Sequence, residues 1–356
     1  MIWPGRATYR SICLTLAPNR SLDESAQRSI TISFFQEVPM RLHLVAVIVV
    51  LAALLVSCAA PVVAPTPTAG APAALSATDD RGQTVTLAQP AQRVVSLLPS
   101  ATEMLFAVGA GDQVVGVTQY CNYPPEAAQG REIIGGFSPD TISVEKIVAL
   151  QPDLVIADAR LQQPTIEALE QAGITVVAFN PQGFDGVYAN ILLVGQLTGH
   201  ADEAAAVVNQ MKERIAAVEQ AIADVAPEDR PRVFFEVWDE PLMTAGPTTF
   251  TGQMIEKAGG INLFADLQEE YPQISAEAVL ERNPDFILGP DTHIDALTPE
   301  RIAARPGWGE LKAVKNGHIA VIDGDISSRP GPRIADAVEI IARILYPDRF
   351  PAASQP

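Results

Sequence analysis

Ser143-Val-Glu-Lys-Ile-Val-Ala-Leu-Gln-Pro-Asp-Leu-Val-Ile-Ala157 aligns without a gap on Ser275-Ala-Glu-Ala-Val-Leu-Glu-Arg-Asn-Pro-Asp-Phe-Ile-Leu-Gly289, at a constant offset of 132 residues. Ser, Glu, Pro and Asp recur at identical places, and the positions between them keep their apolar character. Each copy reads as a Ser-capped helix handing over to a short apolar strand. A weaker correspondence sets Arg93-Val-Val and Gly109-Ala-Gly111 against Arg232-Val-Phe and Gly259-Gly260. Internal duplication at this spacing means two similar lobes, assigned to residues 77–200 and 227–350.

Working outward, short apolar runs alternate with amphipathic stretches: Arg93–Leu98 as strand, Ser100–Val108 as helix, Leu154–Ala157 as strand and Pro164–Ala172 as helix. Alternation of this kind belongs to parallel sheets covered by helices, so the fold class is α/β, with two Rossmann-like lobes built on mainly parallel sheets. Ser100, three residues before Glu103, forms a candidate capping box for the first helix. Between the lobes, Ala201–Val225 contains neither Gly nor Pro. Its apolar residues Val207, Val208, Met211, Ile215, Val218 and Ile222 fall at three- and four-residue steps. It is expected to form one long bridging helix over residues 201–226, about 37 Å long, ended by Pro227 and Pro231.

The N-terminal quarter has a different character. Met40-Arg41 opens an apolar run from Leu42 to Val56, interrupted only by His43 and closed by Leu55-Val-Ser-Cys58. About 15 apolar residues are too few to span a bilayer, which needs roughly 20. A charged start, an apolar stretch and small residues before a cleavage point instead make a secretory signal over residues 40–57. The Leu-Val-Ser-Cys ending resembles the bacterial lipobox, which implies acylation of Cys58 and an extracytoplasmic, membrane-anchored protein. Residues 1–39 have no part in this signal and are read as an upstream extension, with Met40 as the start. Residues 58–76, rich in Pro, Ala and Thr, read as a lipidated tether.

The chain of 356 residues carries a net charge of −18, and residues 1–57 contribute +2, which leaves −20 from Cys58 onward. Such a surface repels nucleic acid and anionic lipid, so a solute is the expected partner of the lobes. With Cys58 acylated, Cys121 has no intramolecular disulfide partner and reads as a small buried filler. His43, His200, His293 and His318 are scattered without ligand spacing, so no metal site is expected.

Val95-Ser-Leu-Leu-Pro-Ser-Ala-Thr-Glu103, Gln119-Tyr-Cys-Asn-Tyr-Pro-Pro125, the helix opening at Ser143-Val-Glu and Ser328-Arg-Pro-Gly-Pro-Arg333 resemble the cobalamin and ferric-siderophore class of ABC-importer solute-binding proteins. The likeness spans about residues 78–348 and is strongest to the cobalamin-binding branch. It implies two α/β lobes bridged by a long helix, cobalamin or a related corrinoid held between them, with a ferric siderophore or haem as the alternative ligand, and no enzymatic activity. It also implies one glutamate per lobe docking on the transmembrane permease, a role that falls on Glu145 and Glu277. Cobalt or iron would then enter only within the ligand, with no cofactor of the protein's own, and a monomer is expected.

Ligand contacts belong at the carboxyl ends of strands, where open α/β sheets bind solutes. Loops there carry Tyr120 and Tyr123 in the first lobe and Trp238 and Tyr271 in the second, with Phe137 in a Gly-Gly-Phe-Ser-Pro loop. The resemblance favours Tyr120, Trp238 and Tyr271, although cobalamin binders often have Trp where Tyr271 stands. Ser100 is a further candidate contact. Arg329 is expected to meet a ligand carboxylate or phosphate, whereas Arg333 reads equally well as structural, and Asp325 is a weaker candidate. Trp308 and Tyr188 lie in helical stretches and read as core. An oxidoreductase is disfavoured: Gly109-Ala-Gly111 lacks the third glycine of a dinucleotide fingerprint and follows a helix rather than preceding one. There is no nucleophile elbow and no phosphate loop.

Overall fold

The computed structural model describes residues 74–291 and 298–350. The signal, Cys58, nearly all of the tether and His293 lie outside the described residues. Leu75–Thr78 (β1) and Thr84–Leu87 (β2) pair as an antiparallel hairpin, so the first described strand starts two residues before the expected lobe boundary.

The first lobe is a five-stranded parallel sheet of Val94–Ser96 (β3), Val114–Val117 (β4), Glu132–Ile133 (β5), Leu154–Asp158 (β6) and Val176–Phe179 (β7), in the order β5-β4-β3-β6-β7. In the second lobe, Arg232–Phe235 (β8) is followed by a two-stranded hairpin of Trp238–Asp239 (β9) and Leu242–Met243 (β10). Ile261–Asn262 (β11), Phe286–Pro290 (β12) and Ile319–Ile322 (β13) complete a parallel sheet ordered β11-β8-β12-β13. Setting β4-β3-β6-β7 against β11-β8-β12-β13 gives the same topology twice.

The duplicated sequence explains why. The Ser143 and Ser275 hydroxyls each accept the backbone N–H three residues on, at 3.2 Å, and so cap helices Val144–Ala149 and Ala276–Arg282. At the far ends, Gln151 (φ 47°) and Asn283 (φ 45°) occupy equivalent left-handed positions that reverse the chain before Pro152 and Pro284. The Asp153 carboxylate then accepts the N–H groups of Gln92 and Arg93, at 2.8 and 2.9 Å. Asp285 does the same for Arg232 at 2.9 Å. The Pro-Asp pair therefore ties the entrance of each central strand to its neighbour.

Strand residues alternate between two buried faces, as strands covered on both sides require. Val94, Leu154 and Ile156 join Val233, Phe235 and Leu288 in one core with Val208, Met211, Ile215 and Val218 of the bridging helix. Val95, Val155 and Ala157 face a separate cluster in the first lobe, and Phe234 and Ile287 face another in the second, where Trp308 is buried. The inner core thus runs through both lobes without a break.

Two local expectations are corrected. The bridging helix covers Ala201–Ala221, about 32 Å, and stops short of Val225 because the Arg349 guanidinium takes the Ala221 carbonyl at 3.0 Å and pairs with Asp224. The first helix covers Pro99–Ala107 with Leu98 at the N-cap and no side-chain cap bond. Proline at the first helical position opens it, so Ser100 lies inside the helix and Glu103 is free for another role. Among the described residues, no helix is long and apolar enough to cross a membrane.

Candidate functional site

A cleft separates the lobes at the carboxyl ends of their strands. One cavity in it, about 280 Å³, is lined by Leu98, Pro99 and Ser100 after β3, Asp158 ending β6, Phe179 and Pro181 at the end of β7, and Ser328, Arg329 and Pro330 from the second lobe. Tyr120, Phe137, Met104 and Asn190 complete that wall. Two smaller cavities of about 100 and 150 Å³ continue the cleft through shared residues Pro330 and Ser328, and Tyr271 and Phe250 line both.

The sequence candidates distribute as follows. Tyr120, half exposed at 50%, shares the main cavity with Phe137, Ser100 and Arg329. Tyr271 lies deeper in the second lobe, and burial pushes its phenol above the usual range, partly opposed by a hydrogen bond with Thr251. Trp238 stands on β9 beside Val237, which lines the 150 Å³ cavity, and its indole N–H donates to the Glu240 carbonyl at 2.8 Å. It is not brought onto the walls of these three cavities. Trp308 and Tyr188 are buried, as is Cys121, which sits within hydrogen-bond reach of the Thr102 and Thr118 hydroxyls.

The loop presenting Phe137 depends on Gly135, whose φ of 130° suits glycine, and where a Cβ would stand 2.0 Å from the Thr141 carbonyl oxygen. Gln162, fully buried, fixes that loop from below. Its amide donates to the carbonyls of Phe137 (2.8 Å) and Leu97 (3.3 Å), and its oxygen accepts the Asp158 N–H at 2.9 Å. One side chain thereby sets the relative heights of three walls. The Asp158 carboxylate accepts the N–H groups of Arg160 and Leu161 at 2.8 and 2.7 Å, closing the turn that follows β6.

Arg329 departs from expectation. Rather than offering its guanidinium to a ligand anion, it donates to Glu103 (3.1 Å), Asn122 (2.7 Å), the Tyr120 carbonyl (3.2 Å) and Asp325 (2.6 Å). Arg333 donates to both oxygens of the same Glu103, at 2.8 and 2.6 Å, and covers the Tyr123 ring at 4.1 Å. Glu103, from the first lobe, is only 2% exposed in its side chain, and both arginines, from the second, are 13% exposed. A buried carboxylate needs such partners, so this cluster clamps the lobes together. At another edge, Arg160 pairs with Glu270 at 2.7 Å, again across the lobes. Every guanidinium lining the three cavities is therefore already matched by a carboxylate.

Glu145 and Glu277 are exposed, each in the first turn of its capped helix. The Glu277 carboxyl is held below the usual range by its own backbone N–H and the Ser275 hydroxyl. The Ser143 hydroxyl donates to Glu145 at 3.2 Å. Sequence reasoning did not single out Gln162, Asp158 or the Glu103 clamp. A lone acid in an otherwise apolar stretch, Ser100–Val108, was the one available signal for Glu103.

Comparison with known proteins matches the periplasmic binding protein family model to residues 94–326. An uncharacterised ABC transporter substrate-binding lipoprotein of Bacillus subtilis is 34% identical over 277 residues, 76% of this chain and 85% of that protein. The crystal structure of the periplasmic vitamin B12 binding protein of Vibrio cholerae is similar at a TM-score of 0.60 and 30% identity, over 72% of this chain and 97% of that one. A periplasmic haem-binding protein of Roseiflexus sp., solved in its apo form, is similar at a TM-score of 0.64 and 28% identity, over 72% and 99%. The duplicated lobes, the helix bridging them and the interlobe cleft agree with these matches: the chain belongs to the periplasmic binding protein family, a solute carrier and not an enzyme.

Proposed function

We propose that this chain, exported and anchored through Cys58, captures cobalamin or a related corrinoid between its lobes and presents it to an ABC permease through Glu145 and Glu277. The observation that carries the ligand class is the charge state of the cleft. Its guanidiniums are neutralised by Glu103, Asp325 and Glu270, while Ser100, Ser328, Asn180 and Asn190 offer uncharged hydrogen-bonding groups beside Phe137, Phe179 and Tyr271. A corrinoid fits this pattern, with a broad apolar face and a rim of neutral amides. Anionic chelates would meet no unmatched cation. The likeness to the Vibrio cholerae vitamin B12 binding protein supports the same ligand.

Haem or a ferric chelate is the second reading, favoured by the likeness to the Roseiflexus haem-binding structure. A tyrosine can hold haem iron, but the raised Tyr271 pKa opposes forming its phenolate. Tyr120, half exposed on the main cavity, is the other phenol of the cleft walls.

Two sets of variants test the proposal. Phe137→Ala and Tyr271→Ala should each weaken cyanocobalamin binding about tenfold, the loss expected when a central aromatic anchor is removed. Glu145→Arg combined with Glu277→Arg should keep that affinity but abolish stimulation of permease ATPase. Loss of affinity in the double docking variant, or full stimulation by it, would remove the assigned role.

A further inference from the structure

A second cavity, about 350 Å³ and larger than any of the three in the solute cleft, opens where both lobes meet the bridging helix. Phe106, Ala107, Tyr123 and Pro124 come from the first lobe, Val207, Gln210, Met211 and Arg214 from the helix, and Pro332, Arg333 and Asp336 from the second lobe. Glu103 and Arg333 line it, while Arg329, bound to the same Glu103 carboxylate, lines the cleft.

The chemistry of the walls limits what fits. Phe106, Met211, Val207 and two prolines supply an apolar interior, and methionine adapts to irregular flat surfaces. Arg214 spends Nε on Glu339 and Nη2 on Asp336. Arg333 spends Nε and Nη2 on Glu103 and the Asp325 carbonyl. Among the described residues, Nη1 of each has no hydrogen-bond partner, nor has the Tyr123 hydroxyl. Charges in the walls are already matched, so an anion gains little, whereas the unused N–H groups favour a neutral oxygen acceptor.

We infer that this crevice is a second small-molecule site, taking a compact, uncharged aromatic molecule with a carbonyl acceptor directed at Arg333 or Arg214. Its volume is at the lower end of ligand pockets, about 300–1000 Å³, which suits a fused bicyclic body.

The test uses 7-methoxycoumarin and the full chain, with binding followed by saturation-transfer NMR. Saturable binding is expected, weakened about tenfold (about 1.4 kcal/mol) by Ala107→Trp. Ala107 is exposed at the end of its helix, so the indole fills the crevice without entering the core. Gln210→Trp, on an exposed face of the bridging helix, provides an independent block. Tyr271→Ala, in the cleft, should leave coumarin affinity unchanged. The site is refuted by absence of saturable binding, by wild-type affinity in both tryptophan variants, or by loss of binding in Tyr271→Ala.

Discussion

Glu103 is the residue on which the lobes meet. Its carboxylate receives three hydrogen bonds from Arg329 and Arg333, side chains 226 and 230 positions away in the sequence. Desolvating these groups offsets much of the attraction they gain, so the cluster adds little net stability, yet breaking it leaves buried cations short of their counter-charge. Glu103→Gln should therefore destabilise the protein by about 3 kcal/mol in urea unfolding; a loss below about 1 kcal/mol would place the cluster effectively in solvent. The sequence pattern Ser100-x-x-Glu103 points to a local cap, and that reading failed because Pro99 starts the helix one residue earlier. Local spacing carries no information about partners beyond 200 residues. Arg329 was legible as a cleft residue but not as one whose Nη1 and Nη2 were already committed.

Within the elements, the two copies of the repeat are close enough to serve as each other's control. Both turn through a left-handed residue, but one copy uses Gln151 and the other Asn283. Asparagine tolerates that conformation through local hydrogen bonding, whereas glutamine bears the full steric cost, about 1–2 kcal/mol. Gln151→Gly should accordingly raise the unfolding free energy by about 1 kcal/mol and Asn283→Gly by clearly less. An equal gain at both positions, or a loss at Gln151, would contradict this account of the turn. The constant offset revealed this element because helix cap, turn and strand are all local. The end of the bridging helix was not legible, since the group that closes it, Arg349, arrives from the last residues of the second lobe.

At the scale of the whole molecule, an uninterrupted apolar core and the Glu103 clamp join the lobes. Tyr188 sits where the first lobe meets the bridging helix, its ring beneath the Lys212 ammonium at 4.9 Å. Burial, aided by the charges of Asp185 and Glu219, pushes its phenol up to about 12. The folded form therefore holds this proton more tightly than the unfolded chain, whose tyrosine titrates near 10. The contribution is intact below pH ~10 and is lost as pH rises towards 12. Tyr188→Phe should flatten the fall in stability over that window; an unchanged slope would show that other groups govern it. Composition and periodicity made the α/β class and the paired lobes legible, and loop aromatics pointed towards the cleft. The charge balance of the cleft, with each lining guanidinium matched by a carboxylate and Asp158 adding an acid without a cation partner among the described residues, was not legible, because it rests largely on pairs formed across the lobes. That balance underlies the corrinoid reading, and its most direct test is isothermal titration of the full chain with cyanocobalamin, haemin and an anionic ferric chelate in parallel. Saturable one-site binding of cyanocobalamin, with far weaker binding of both anions, is the expected result; saturation by haemin or the chelate with no heat from cyanocobalamin would contradict it.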